Sequence, residues 1–349
     1  MIILSIDTSC DETAAAVTSG RKILSNVIYS QVLLHKKWGG VVPSLAKRAH
    51  EERIDSVINR ALKSAHITIK KIDAIAVTQG PGLAIALGVG INKAMELALQ
   101  YKKPLLGINH LEGHLYSAFA QNKKGNPKKN IAFPYLGMII SGGHTEFVLW
   151  KNHLEYELLG MTLDDAAGEA LDKAGKLLGL GYPAGSVVER LAEQVGNVDE
   201  YKFPRPMIRS GDLNFSFAGL KTSFYYFLKT ISEEEKNKRI SYLASAFQEA
   251  VFDTILIKTE KAMKQTGISN LVVGGGVTAN KYLRKKMRAL TRKYKGAVHF
   301  PSMKVLTGDN AAMIGVAAWK KAERGLFSGT VDRQPRMQIS SLAIEEKML

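Results

Sequence analysis

Cysteine is nearly missing from this chain: Cys10 is the single one among 349 residues. One thiol cannot build an internal disulfide framework, which excludes a small cross-linked scaffold and fits a reducing compartment. Long hydrophobic runs are missing as well. No uninterrupted apolar stretch approaches the roughly 18–20 residues that a membrane span needs, so no membrane partner is expected. Low-complexity tracts and short-period repeats are absent. The opening stretch MIILSIDTSCDET has no basic leader and carries Asp7 inside its apolar run. It reads as a buried strand that begins at once rather than as a targeting peptide, and a cytoplasmic location is expected.

Acids are scarce. Thirty-two Asp and Glu face 48 Lys and Arg, for a formal net charge of +16 and a pI near 9.6. Such an excess suggests an anionic partner, nucleic acid first among them. The stretch Lys281 to Gly296, KYLRKKMRALTRKYKG, holds eight cations and no acid. Basic pairs recur at Lys123-Lys124 and Lys128-Lys129, and YKFPRPMIRSG adds Lys202, Arg205 and Arg209 beside Tyr201 and Phe203. A charge run is commonly only a solvated face, so charge alone does not choose a partner.

What the chain does have is apolar content, 46%, enough to bury the core of one large or two medium domains. MIILSIDTSCDETAAAV and YLGMIISGGHTEFVLW both read as strand, small polar turn, strand. Two such openings suggest two related halves, with NKKGNPKKN as the crossing. Between them VPSLAKRAHEERIDSVINRALKSA has helical spacing, IDAIAVTQ and PLLGINH read as strands, and LAIALGVGINKAMELALQ reads as a helix. The second half contributes SYLASAFQEAVFDTILIKTEKAMKQTG as a helix and ISNLVVGGGVTAN as a strand and turn. A last helix, DNAAMIGVAAWKKAERG, is expected to return to the first half. The alternation argues for an α/β fold.

NHLEGH places His110 and His114 four apart, on one face of a helix, where both can reach one ion. Glu112 falls about 200° round the helical wheel from that face. Zinc proteases place the glutamate directly after the first histidine, so a metalloendopeptidase is disfavoured. Two imidazoles need a carboxylate from elsewhere. Asp309 in LTGDNAAMIG is the best candidate, although an acid that opens a helix more often serves as its cap. Two histidines and a carboxylate suit iron or zinc with open positions. The turns in MIISGGHTEF and VVGGGVTAN follow strands and match neither the dinucleotide fingerprint nor the P-loop. They favour a nucleotide or acyl-phosphate ligand modestly, because glycine lets backbone N–H groups approach a phosphate. TQGPGLA reads as a structural turn. In GEALDKAGKLLGLGYPAGSVVER, capping and solvation account for Asp172, Gly185 and Glu189 on composition alone.

The ordered set SIDTSCDETAAAV, NHLEGH, IISGGHTEF, GEALDKAGKLLGLGYPAG, NFSFAGLKT, GGGVTAN and GDNAAMIG resembles the tRNA threonylcarbamoyladenosine transferase family, TsaD in bacteria. The resemblance runs from residue 1 to about residue 320. It implies an actin-like ATPase (ASKHA), ribonuclease-H-like fold with a ligand cleft between two similar lobes. Residues 1–130 plus about 310–349 would form the first lobe, and 131–309 the second. It implies one divalent metal, Fe(2+) foremost with Zn(2+) the alternative, on His110, His114 and Asp309. It implies substrate contacts from Ile139, Ile140, Ser141, Gly142, Gly143, Asp172, Gly185, Glu189 and Asn280. The implied reaction moves threonylcarbamoyl from threonylcarbamoyl-AMP to N6 of adenine 37 in the anticodon loop of tRNAs reading codons that begin with adenine. The implied partners are a TsaB-like inactive paralogue and a TsaE-like ATPase. Asp11 and Glu12, at the first hairpin turn, are the candidates for proton transfer, beside an equally available role in turn chemistry. The chain departs from the family at Ala184, Ser186, Ala218 and Thr307-Gly308, and it has Ile139 where the archaeal branch has a tyrosine ligand. Besides the protease, the alternatives are a small-molecule kinase on the same fold and a non-catalytic tRNA-binding scaffold.

Overall fold

The computed structural model describes residues 1–339. The chain divides into two compact units. The first comprises Met1–Phe133, the segment Trp150–Glu157 and the chain from Phe300 onward; the second comprises Pro134–Leu149 and Leu158–His299. The short segment Trp150–Glu157 carries no sequence sign of its membership in the first unit.

The first unit is built on β1 (Ile2–Asp7), β2 (Glu12–Ser19), β3 (Lys22–Ser30), β4 (Ala74–Gly80) and β5 (Leu105–Asn109), in the order β3-β2-β1-β4-β5. The first three strands pair antiparallel, whereas β1, β4 and β5 run parallel. β1 and β4 are nearly continuous apolar runs because helices cover both faces. Leu4, Ile6, Val17, Ile75 and Val77 pack against Ile54, Val57 and Ile58 of helix Pro43–Ala65 and Leu87 and Ile91 of helix Ala84–Tyr101. Each of these helices ends on a residue in the left-handed region, His66 and Lys102.

The second sheet uses β6 (Tyr135–Ile140), β7 (Thr145–Asn152), β8 (Glu155–Met161), β9 (Leu271–Gly274) and β10 (Val298–His299) in the order β10-β9-β6-β7-β8. Read from its other edge, this is the strand order of the first sheet. β6 again runs parallel to β9, and β9 to β10. The two hairpin openings seen in the sequence therefore start two sheets of one topology. The fold is α/β, of the actin-like, ribonuclease-H-like class.

Helix Ile240–Thr266 is long and apolar enough, by length and composition, to cross a membrane. It is instead the core helix of the second unit. Phe247 and Phe252 are wholly buried, and Phe247 packs on Phe224 at 4.9 Å between ring centroids. Its Lys258 is buried but donates from Nζ to Ser210 Oγ at 2.6 Å and to the Asp212 carbonyl at 3.0 Å.

Candidate active site and metal centre

β5 delivers the histidines. Its last residue, Asn109, caps helix His110–Tyr116 by accepting the Leu111 and Glu112 amides at 2.8 and 3.4 Å. This fixes where the helix begins and hence which way its four-residue stripe points. His110 and His114 meet edge to face, with centroids 4.7 Å apart. Asp309 completes the group. Its Oδ1 lies 3.4 Å from Nε2 of both imidazoles, and one potential ligand atom from each residue lies within 4.8 Å of the others.

Asp309 is not the helix cap. Asn310 takes that task, its Oδ1 accepting the Met313 amide at the head of helix Ala311–Glu323. The carboxylate is thereby left to face the histidines.

The donor set fits a metal ion. His114 is wholly buried, yet neither of its ring nitrogens makes a hydrogen bond. Buried polar atoms left without partners are costly unless something fills the gap. The charges agree. Burial alone would lower the His110 pKa, but Asp309 and then Asp7 override it and lift it to about 9. Burial and the neighbouring His110 hold His114 below its usual value against the pull of Asp309. Burial would raise Asp309, but the two imidazoles hold it well below the carboxylate range. Two imidazoles and a carboxylate are ligands for iron or zinc, and together they leave coordination positions open.

Sequence reasoning missed Asp7. Its Oδ1 accepts from the Thr78 hydroxyl at 2.8 Å and the Ser9 amide at 3.1 Å, while its buried Oδ2 lies 3.9 Å from His110 Nδ1. At that distance the carboxylate acts on the imidazole through its charge rather than through a hydrogen bond. The available signal was an acid inside the apolar run of β1.

Glu112 is buried and accepts the Tyr156 hydroxyl at 2.7 Å. A glutamate tied to a tyrosine is not placed as the base of a peptidase.

Asp11 and Glu12 sit where β1 turns into β2. His50 holds this turn from helix Pro43–Ala65: Nε2 donates to the Cys10 carbonyl at 3.0 Å, and Nδ1 accepts from Thr13 Oγ1 at 2.8 Å. Burial raises Glu12 well above its usual value, and the charges of Asp11 and Asp309 raise it further. The same two charges reinforce the effect of burial on the Cys10 thiol. The carboxyl pair and the metal-ligand group thus lie within one electrostatic neighbourhood.

The remaining sequence-predicted positions lie in the second unit. Ile139 and Ile140 end β6 with side chains wholly buried, so only their backbone is available to a ligand. Ser141 closes the turn, its amide donating to the His144 carbonyl at 2.8 Å, and Gly142 and Gly143 are exposed. The turn after β9 packs against this one. Gly275 (φ 96°) lies so near the Ile140 backbone that no Cβ would fit. Both glycine turns therefore belong to one feature.

Asp172 Oδ1 accepts the Ala184 and Gly185 amides at 2.7 and 3.1 Å, seating the start of helix Gly185–Gln194. Glu189 in that helix accepts the Lys281 amide at 2.7 Å. Asn280 caps helix Lys281–Lys293 through Leu283 and donates to Gln248 Oε1 at 2.9 Å. These three polar residues form a linked frame. Each polar end of the Asn280 side chain makes one bond in it, leaving a second amide hydrogen and a second lone pair.

Residues 22–316 match the family model described as TsaD, tRNA N6-adenosine threonylcarbamoyltransferase. The chain is 44% identical over 340 residues to the tRNA N6-adenosine threonylcarbamoyltransferase of Thermosipho africanus, covering 97% of this chain and 100% of that one. It is 47% identical over 318 residues to that of Trichlorobacter lovleyi, covering 91% and 90% respectively. Among solved structures, component A of the Acidaminococcus fermentans (R)-2-hydroxyglutaryl-CoA dehydratase superposes with a TM-score of 0.52 at 14% identity, covering 93% of this chain and 99% of that one. That likeness is one of fold.

Proposed function

This chain belongs to the tRNA N6-adenosine threonylcarbamoyltransferase family, and from that premise we propose that it moves the threonylcarbamoyl group of threonylcarbamoyl-AMP onto N6 of adenine 37 in tRNAs reading codons that begin with adenine. The observation that carries the reading is the convergence of His110, His114 and Asp309 on one point, with buried nitrogens left open.

The reaction forms a bond between N6 and the carbamoyl carbon, breaks the bond from that carbon to the phosphate oxygen of AMP, and releases the amine proton. An exocyclic amine conjugated with adenine is a weak nucleophile, so positioning and charge stabilisation must supply most of the acceleration. His110, His114 and Asp309 would hold Fe(2+), with Zn(2+) the alternative, and the bound ion supplies a Lewis acid's positive charge. Asp7 adds negative charge behind the His110 ring. Asp11 and Glu12, beside this group, are the candidates to accept the amine proton, with burial raising Glu12 above its usual value. In the second unit, the Ile139–Gly143 turn holds the acyl-phosphate through the exposed Gly142 and Gly143 amides, the Ser141 amide being taken by the His144 carbonyl. Asp172, Gly185 and Glu189 face the ligand's hydroxyl groups. Asn280 holds its turn in place for the adenosine.

The division expected for the family, 1–130 with about 310–349 as one lobe and 131–309 as the other, belongs to this reading; residues 340–349 lie outside the described residues. So do a TsaB-like paralogue and a TsaE-like ATPase as partners, and action in the cytoplasm. The test is incubation of the metal-loaded protein and these partners with labelled threonylcarbamoyl-AMP and unmodified tRNA. Label on adenine 37, lost with His114→Ala, is expected. A complete system that leaves adenine 37 unlabelled refutes the proposal.

A further inference from the structure

Helix Lys281–Lys293 sorts its cations into two sets. Leu283, Met287 and Thr291, four apart, form its buried stripe. On one flank the cations are spent inside the unit. Lys286 pairs with Glu249 and with Asp253, and Lys293 pairs with Glu260 at 2.9 Å, all three acids lying on helix Ile240–Thr266. On the other flank Arg284 donates to the Thr278 carbonyl. Lys281, Lys285, Arg288 and Arg292 lie on a further face, all exposed. At about 100° per residue these four fall within roughly 60° of one another, on the side away from the buried stripe. Lys281, Lys285 and Arg292 form no ion pair among the described residues.

A face kept only for solubility mixes charges of both signs, since interspersed acids relieve self-repulsion at no structural cost. No acid occurs from Lys281 to Gly296. The nearby acids of helix Ile240–Thr266 instead neutralise the inward-turned cations and leave Lys281, Lys285 and Arg292 of the outward row without an acid. The row spans about 16 Å, eleven residues at about 1.5 Å each. It begins directly after Asn280, whose turn packs within the frame of substrate-contact candidates.

We propose that Lys281, Lys285, Arg288 and Arg292 form a docking row for the phosphate backbone of the tRNA substrate. The inference rests on the functional reading above and adds the surface by which the RNA is held. The row neutralises phosphates and reads no base, so it contributes affinity and orientation without sequence preference.

The experiment measures binding of an unmodified tRNA transcript to the full-length protein across a potassium chloride series. It compares wild type with Lys285→Ala/Arg288→Ala/Arg292→Ala, and with a control carrying the same charge change on another exposed surface, Lys63→Ala/Lys70→Ala/Lys71→Ala. Metal content and thermal unfolding confirm that each variant is folded. The row variant should bind about 10- to 100-fold more weakly near 0.1 M salt, with the slope of log K against log salt reduced by about two. The control should change neither by more than about twofold. A folded row variant with wild-type affinity and slope overturns the docking row while leaving the transferase reading intact. An equal loss in the control does the same, because bulk charge then explains binding. Wild type that binds no tRNA and transfers nothing to it overturns both.

Discussion

Asn310 and Asp309 divide one helix terminus between them: Asn310 Oδ1 accepts the Met313 amide at 3.0 Å, while Asp309 Oδ1 stands 3.4 Å from both His110 and His114. Neighbouring residues with similar side chains thus take separate structural and chemical tasks. Asn310→Ala should lower the unfolding free energy of the metal-free protein by about 1 kcal/mol, the usual cost of a lost cap. Asp309→Ala should keep the cap and lose stoichiometric metal. Denaturant melts and elemental analysis read the two effects separately. An Asp309→Ala protein that still purifies with one tightly held iron or zinc would show that the carboxylate is not a ligand.

Asp7 gives a sharper test, because Asn at that position preserves half of the side chain. Oδ1 can still accept from Thr78 and Ser9, so the fold around β1 should be kept. The other atom becomes an NH2 group turned toward His110 Nδ1, a donor where an acceptor stood. Metal affinity should fall about tenfold, the low end for a carboxylate behind a ligand imidazole, because a charge is lost but no hydrogen bond is broken. Competition against a chelator measures it. Unchanged affinity would reduce Asp7 to a residue that merely bridges β1 and β4.

Why the sequence revealed some of this and hid the rest follows from range. The His110–His114 stripe is local: four-residue spacing after a strand needs only helix geometry to be read. The strand–turn–strand openings are local too, and they start β1 and β6 in two sheets of one order. The approach of Asp309 to His110 is set by the whole of the first unit, and no spacing rule predicts it; the acid after a glycine turn made Asp309 the best candidate, and the family resemblance mapped the same residue. Asp7 was hidden by its neighbours, since an acid in an apolar strand gives no sign of what it faces. β3 and β8 escaped notice because polar residues interrupt their apolar positions. The substrate-contact residues show a further limit. Asp172 and Asn280 spend side-chain atoms on amide caps, work that composition had already suggested for Asp172 and that is visible only in coordinates for Asn280.

Glu146, on β7, makes part of the stability depend on pH. Burial lifts its carboxyl from the usual glutamate value of 4.5 to about 7. The folded state therefore binds a proton more tightly than the unfolded state does, and unfolding releases it between those two values. Stability conferred by this group is full below about pH 4.5 and declines as pH rises to about 7. The shift of roughly 2.5 units corresponds to about 3 kcal/mol at most. Glu146→Gln should therefore be more stable than wild type at pH 8, with the advantage shrinking toward pH 4.5. Urea melts of the second unit's transition at pH 5 and pH 8 test this; a pH-independent difference would place the effect elsewhere.

Gly168 tests the glycine turn of the second unit by itself. It lies in the first turn of helix Ala167–Leu177, where its amide donates to the Ser141 carbonyl at 3.1 Å. A Cβ there would stand 2.5 Å from the Ser141 carbonyl oxygen and 3.0 Å from Gly142 Cα, both of them backbone atoms that cannot swing aside. Gly168→Ala must displace the glycine turn, at a cost of about 1–3 kcal/mol in the manner of an overpacked core. His110, His114 and Asp309 all belong to the first unit, so the variant should keep its metal at wild-type stoichiometry. Its KM for threonylcarbamoyl-AMP should rise at least about tenfold, since backbone donors displaced by about an ångström no longer match the acyl-phosphate. A folded, metal-loaded Gly168→Ala protein with unaltered KM would show that the Ile139–Gly143 turn does not touch the donor substrate.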